Sequence, residues 1–227
     1  MSTTTRPLSP AELAKVTGGA YVPGTDASET IQTGNDADLV IAQGGNDTVF
    51  TSGGDDQVQA GAGNDYVDSG SGNDLVFGQD GDDTLFTGAG NDQAQGGAGH
   101  DSISGGGGSD QLFGQEGNDL LYGGQQDRAA DYMEGGSGND TFVWSPGDGN
   151  DQFQGQDGTD QLHLPNVSFE QLQAGLQFYD PSLSLLQRSD GAVFATNPQG
   201  QIVPFSGALT VGGETISFND MESFRLS

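Results

Sequence analysis

Fourteen aspartates carry the most regular chemistry in the sequence: Asp38, Asp47, Asp56, Asp65, Asp74, Asp83, Asp92, Asp101, Asp110, Asp119, Asp131, Asp140, Asp151 and Asp160. They hold the sixth place of a nine-residue unit that reads most plainly in Ala60-Gly61-Ala62-Gly63-Asn64-Asp65-Tyr66-Val67-Asp68. Glycine is usual at positions 2 and 4, aspartate stands at 6 and an apolar residue at 8. Carboxylates spaced along a glycine-rich backbone supply hard oxygen ligands, and glycine turns expose carbonyl oxygens beside them. That chemistry suits hard divalent cations. Aspartate also favours plain turns, but turn formation alone does not require an uninterrupted column. Asn46, Asn64, Asn73, Asn91, Asn118, Asn139 and Asn150 at position 5 read as turn geometry rather than ligands.

The elements that must position these carboxylates follow from the eighth place. It reads Val40, Val49, Val58, Val67, Val76, Leu85, Ala94, Ile103, Leu112, Leu121, Met133, Phe142, Phe153 and Leu162. Residues 7 to 9 of each unit have strand character, with position 8 turned inward and positions 7 and 9 outward. Positions 1 to 6 then form the turn. Position 4 is glycine from Gly45 to Gly117 without exception, which points to a backbone with φ above zero. Segment 24–32 is a degenerate first unit, with Glu29 and Ile31 in the two marked slots.

This pattern closely resembles the RTX, or hemolysin-type, calcium-binding nonapeptide repeat of secreted bacterial proteins. The resemblance implies an all-β fold, a right-handed parallel β-roll (a β-solenoid) in which two repeats complete a turn of 18 residues. It also implies a C-terminal β capping region and multiple Ca²⁺ ions. Asp38, Asp56, Asp74, Asp92 and Asp110 would then share one edge, and Asp47, Asp65, Asp83, Asp101 and Asp119 the other. Stacked turns lie about 4.8 Å apart, so each column would repel itself without a cation between successive loops. Counted by neighbouring pairs, the metal number is on the order of ten. The core is thin for its length, and folding coupled to calcium binding is expected.

Composition excludes several partners. The net charge is −28 with five basic residues, so no cluster exists to bind nucleic acid. There is no cysteine, and no apolar run approaches the roughly 18 residues of a membrane span. His100 and His163 lie within repeats and near no nucleophile motif, so no enzyme is expected. An ice-binding roll would present regular Thr at position 3. Here that place reads Gly44, Gly53, Ala62, Ser71, Asp80, Ala89, Ala98 and Gly107. A glycan-binding module is a further alternative; lacking a basic groove, it would take a neutral glycan.

A longer period overlies the nine. Segment 42–77 matches 78–113 at about half its positions, and Gln43, Gln79, Gln115 and Gln156 mark the start of each unit. Phe50, Phe86 and Tyr122 fall at position 9 on one sheet, Phe77 and Phe113 on the other. They are expected to line outer faces as a candidate interaction surface for self-assembly or a cell-surface partner. The stretches 125–130 and 144–149 break the period as loops, with metal occupancy least defined beside them.

The ends depart from the repeat. Residues 8–19 suit a short helix capped by Ser9, with Pro10 first and Glu12 closing a capping box. With Leu8, Glu12, Leu13, Val16 and the pair Gly18-Gly19, the segment resembles the double-glycine leaders of bacteriocin precursors. That likeness implies cleavage after Gly19 by an exporting ABC-type transporter. The expected organisation is a leader over 1–19, an N-terminal cap over 20–32, the calcium-binding roll over 33–163, and a C-terminal β cap with possible type I secretion region over 164–227. Short strands are expected at 183–187, 192–195, 201–205 and 215–218. The expected role is a secreted, extracellular or cell-surface structural or adhesive protein.

Overall fold

In each repeat one apolar side chain at position 8 is flanked by residues that face outward, so a single strand cannot bury it. Stacking the turns does. The computed structural model describes residues 19–226 and is almost entirely β-structure arranged as a parallel β-roll. Odd and even repeats fall into two sheets. One runs through Tyr21–Pro23, Leu39–Ile41, Gln57–Ala62, Leu75–Asp80, Gln93–Ala98, Gln111–Glu116, Tyr132–Gly138 and Gln152–Gly158. The other runs through Thr30–Gln32, Thr48–Phe50, Tyr66–Asp68, Thr84–Ala89, Ser102–Gly107, Leu120–Gly124, Thr141–Val143 and Gln161–Leu164. Neighbouring strands are parallel, and their register joins like positions: Val40 with Val58, and Val58 with Val76. From Val40 to Leu162 every position-8 side chain is buried. Each contributes about 1.5–3 kcal/mol for a full-sized side chain.

The strands are longer than a three-residue strand and six-residue turn imply. In mid-roll they continue through position 3 of the following repeat, as in Leu75–Asp80 and Gln93–Ala98. Backbone pairing therefore extends into the first half of the turn. The position-4 glycines hold φ above zero, as at Gly63 (+129°) and Gly117 (+143°). A Cβ at Gly117 would overlap the Gly99 carbonyl oxygen one turn below, so close stacking, as well as the dihedral, demands glycine there. Position 2 has the same left-handed backbone even where the residue is not glycine: Gln43 (82°), Gln79 (85°), Gln115 (84°) and Gln156 (74°).

Beyond the repeats, Ser168 caps a helix over Phe169–Gly175, with Gln171 completing a capping box. It is the only α-helix among the described residues, and none there is long and apolar enough to cross a membrane. The chain then returns to the roll. Strand Glu214–Met221 pairs in parallel with Gln152–Gly158, and Ser223–Leu226 with Gln161–Leu164. Phe218 and Phe224 take the core slots after Phe153 and Leu162. Antiparallel strands, including Phe205–Val211 and Ala192–Thr196, cover the resulting end. The expected strand at 201–205 is split into Ile202–Val203 and Phe205–Val211, and that at 215–218 is part of a longer one. Of the leader-like segment, only Gly19 lies within the described residues; Gly18 and the helix expected before it lie outside them.

Candidate metal centre

The aspartates form two continuous columns. In each, the Oδ1 of one aspartate accepts the backbone N–H of the aspartate one turn earlier. Asp38 N–H donates to Asp56 at 2.7 Å, Asp56 to Asp74 at 2.8 Å, and Asp92 to Asp110 at 2.8 Å. The second column runs from Asp47 through Asp65, Asp83, Asp101 and Asp119 in the same way. The breaks in period do not interrupt either column. Asp110 donates to Asp131 and Asp119 to Asp140 across 21 residues, then Asp131 to Asp151 and Asp140 to Asp160 across 20. The extra residues are taken up at the edge.

The other carboxylate oxygen is the chemically open one. Thirteen of the fourteen Oδ2 atoms are buried with no hydrogen-bond partner; Asp151 is the exception. A buried charged oxygen without a partner is costly. Burial accordingly raises the carboxyls, and neighbouring aspartates add to it: Asp56, Asp74 and Asp119 to about 6, Asp83 to about 7, Asp110 to about 8. Asp151, beside Asp131, Asp148 and Asp127, also reaches about 8 through burial and their charges.

The open oxygens have company of the right kind. A Cβ built on Gly78 would fill a cradle formed by Asp83 Oδ2 and the Gly96 carbonyl of the next turn. Gly105, with Asp110 Oδ2 and the Gly123 carbonyl, and Gly114, with Asp119 Oδ2 and the Gly135 carbonyl, repeat the arrangement. No group of three His, Asp or Glu side chains converges among the described residues, so a cation in this column must draw on backbone carbonyls as well as carboxylates. Charged and neutral oxygens in that mixture are what calcium takes, and the residues present fit it.

These carboxyls give a sign to the pH dependence. Their folded-state values lie above the ordinary aspartate range, so the metal-free roll binds more protons than the unfolded chain. Its stability is then fully present below about pH 4 and lost as pH rises through 6 to 8. In metal-free buffer, far-UV circular dichroism is expected to lose strand signal between pH 4 and 8. With calcium the order reverses, because protons compete for the same oxygens.

Several partners of the columns are not visible from the repeat spacing. Glu222 Oε2 accepts the Asp160 N–H at 2.5 Å, which extends one column into the C-terminal region. At the other end, Glu29 turns both its oxygens to Thr25. Asp148, buried in the loop at 144–149, accepts the Gln126 and Ser145 N–H groups. That loop is not a simple bulge: Trp144 is fully buried in line with the core, its Nε1 donating to the Gly149 carbonyl. The position-5 residues form a ladder of their own, in which Asn46 Oδ1 accepts the Asn64 N–H and His100 Nδ1 accepts the Asn118 N–H.

The aromatic candidates lie on the two sheets as expected, but not only at position 9. Tyr66, at position 7, fills the gap between Phe50 and Phe86, with ring centroids 5.8 and 5.7 Å away. Phe113 meets Tyr132 at 5.9 Å on the other sheet. Phe86 is the most exposed of the candidates, while Phe50, Phe77, Phe113 and Tyr122 are half-buried.

The sequence profile of the RTX calcium-binding nonapeptide repeat (4 copies) matches residues 23–58, 43–76, 59–94, 95–128, 110–142 and 147–164. No curated protein matches the chain.

Proposed function

The chain belongs to the RTX calcium-binding nonapeptide repeat family, and from that premise we propose that it is an extracellular structural, cell-surface or adhesive protein that folds on calcium after export. The observation that carries this reading is the set of thirteen buried Oδ2 atoms without partners, held in two columns. All fourteen aspartates of those columns serve as ligands in this proposal, with glycine-turn carbonyls completing each site. The number of ions is on the order of ten, set by neighbouring pairs. When bound, calcium supplies the positive charge that the chain lacks, since its described residues carry only Arg128, Arg188 and Arg225 as basic side chains apart from histidine. The aspartates hold the ion, the Oδ1 ladder fixes their orientation, and the position-8 core sets the spacing.

Export follows from the same chemistry. Mutually repelling carboxylates keep the chain open in a calcium-poor cytosol, a state an ABC-type exporter can thread. Residues 1–19 act as a leader cut after Gly19, and residues 164–227 cap the roll and contribute to type I secretion. Outside the cell, the Phe50–Tyr66–Phe86 stack and the Phe77 and Phe113 face offer the surface for self-assembly or a cell-surface partner. One fractionation tests the reading. Native cells are washed with calcium or with chelator, and the released protein is weighed by mass spectrometry. Retention in calcium, release in chelator and a mass beginning at Ala20 are expected. Protein that is free in the medium under both washes contradicts the surface role, and a mass that includes Met1 contradicts the leader.

A further inference from the structure

Position 1 of the repeats changes character along the roll. It carries a buried side chain at Thr33, Ala42, Thr51, Ala60, Ser69 and Thr87. From Gly78 to Gly155 it is otherwise glycine, apart from Trp144 in the repeat of Asp151. The backbone does not explain the change. Unlike the glycines of position 4, Gly78, Gly96, Gly105 and Gly114 do not hold φ above zero. Ala42 and Ala60 occupy the same place in earlier turns. The dihedral permits a side chain there, so its absence has another cause.

What a side chain would meet is the cradle itself. A Cβ at Gly96, Gly123 or Gly135 would overlap the Oδ2 of Asp101, Asp131 or Asp140. At Gly155 it would overlap Asp160 Oδ2 and the Asp220 carbonyl. With Gly78, Gly105 and Gly114, these are seven places where the space beside a buried, unpartnered carboxylate oxygen is kept free of carbon. The Oδ2 atoms of Asp38, Asp47, Asp56, Asp65, Asp74 and Asp92 are also buried without partners, but there a side-chain carbon holds the equivalent place. Where that side chain is a hydroxyl, it engages the neighbouring carbonyl as well. Thr51 donates to the Ser69 carbonyl at 3.0 Å, Ser69 to Thr87 at 2.9 Å and Thr87 to Gly105 at 2.8 Å. The position-1 carbonyl of the next turn is the oxygen that completes the cradle at Gly78, Gly105 and Gly114. Calcium needs about six to eight oxygens at close range. A carbon brings no lone pair, and a carbonyl that already accepts a proton is a poorer ligand.

We infer that position 1 sorts the aspartates into two classes of calcium site. The seven with glycine at position 1 are open and bind tightly. The six with a side chain there are obstructed, bind more weakly and fill only at higher calcium. The inference rests on the calcium reading of the aspartate columns. It places the weak sites in the first half of the roll and the tight ones, Asp83 and then Asp101 onward, in the second. The choice of one small residue, repeated every turn, thus grades the affinity of sites whose carboxylates are otherwise alike.

The test is equilibrium dialysis of the full chain against radioactive calcium, with circular dichroism of the loaded protein to verify folding. The unaltered protein is expected to give a two-step isotherm, with about seven ions in the tight class and the rest about tenfold weaker or more. The variant A42G/A60G opens two cradles and should add about two ions to the tight class. The variant G105A/G114A closes two and should remove about two. Glycine is native at Gly78 and Gly96 on the edge of Ala42 and Ala60, so the backbone accepts it there. Loss of two buried methyls would by itself weaken binding through lower stability, so a gain in A42G/A60G has no purely structural origin. A single class of equal sites in the unaltered protein, or a tight class that neither variant changes, overturns the inference. If one variant does not fold, the other decides together with the unaltered isotherm, because the two move the count in opposite directions. Failure of the unaltered protein to bind calcium at all refutes instead the reading beneath it.

Discussion

Withdrawing calcium is expected to abolish most of the strand signal of this protein, and restoring it to bring the signal back. The reason lies in the balance of charges. Thirteen carboxylate oxygens are buried without partners, in columns whose members stand one strand spacing apart. Nothing in the position-8 core compensates for that repulsion, since it supplies about one buried apolar side chain per repeat. A site filled at about a hundredfold above its Kd contributes about 2.7 kcal/mol. Several such sites together match or exceed the roughly 5–15 kcal/mol that stabilises an ordinary domain. The measurement is far-UV circular dichroism through a calcium titration after metal stripping at pH 7.5. A cooperative gain of strand signal is expected; a spectrum identical in chelator and in calcium refutes coupled folding.

The second large effect separates ligand from turn former at a single residue. Asp101 Oδ1 accepts the Asp83 N–H at 2.8 Å, while its Oδ2 is buried and open. Asp101→Asn keeps the acceptor and removes the charge. Burial holds the Asp101 carboxyl up to about 6, so the neutral amide suits the metal-free roll better than the carboxylate does at pH 7.5. The variant is therefore expected to gain strand content without metal and to need about tenfold or more calcium to fill its sites. Asp101→Ala loses both functions. It leaves the Asp83 N–H buried and unsatisfied, at about 1–3 kcal/mol, and is expected to be worse than wild type in both conditions. If asparagine matches wild type in calcium affinity, the column is turn chemistry and the ligand reading fails.

Much of this is legible in the sequence because the interactions repeat. A residue such as Val67 or Asp65 meets its own counterpart one turn away, so one nine-residue pattern specifies every rung. Position 8 marks the core and position 6 the columns throughout the roll, and position 4 marks the left-handed glycines from Gly45 to Gly117. A column of buried hydroxyls is also present as Thr33, Thr51, Ser69 and Thr87 at 18-residue intervals, each donating to the position-1 carbonyl of the next turn. Only burial and the next-turn carbonyls give it meaning, since a threonine at a strand end otherwise reads as strand propensity.

What the sequence by itself determined, then, is the repeating unit and the ligand chemistry it carries, because both are local and are restated every nine residues. The tertiary structure decided what happens where repetition stops. It carried the columns across the breaks near Asp131 and Asp151, buried Trp144 in line with the core, and set Tyr66 between Phe50 and Phe86. It also returned the C-terminal segment to the roll, placing Phe218 beside Phe153, Phe224 beside Leu162, and Glu222 on the Asp160 N–H 62 residues away. Those contacts occur once each. They are fixed by which surfaces remain open at the last turn, and no spacing in the chain records that.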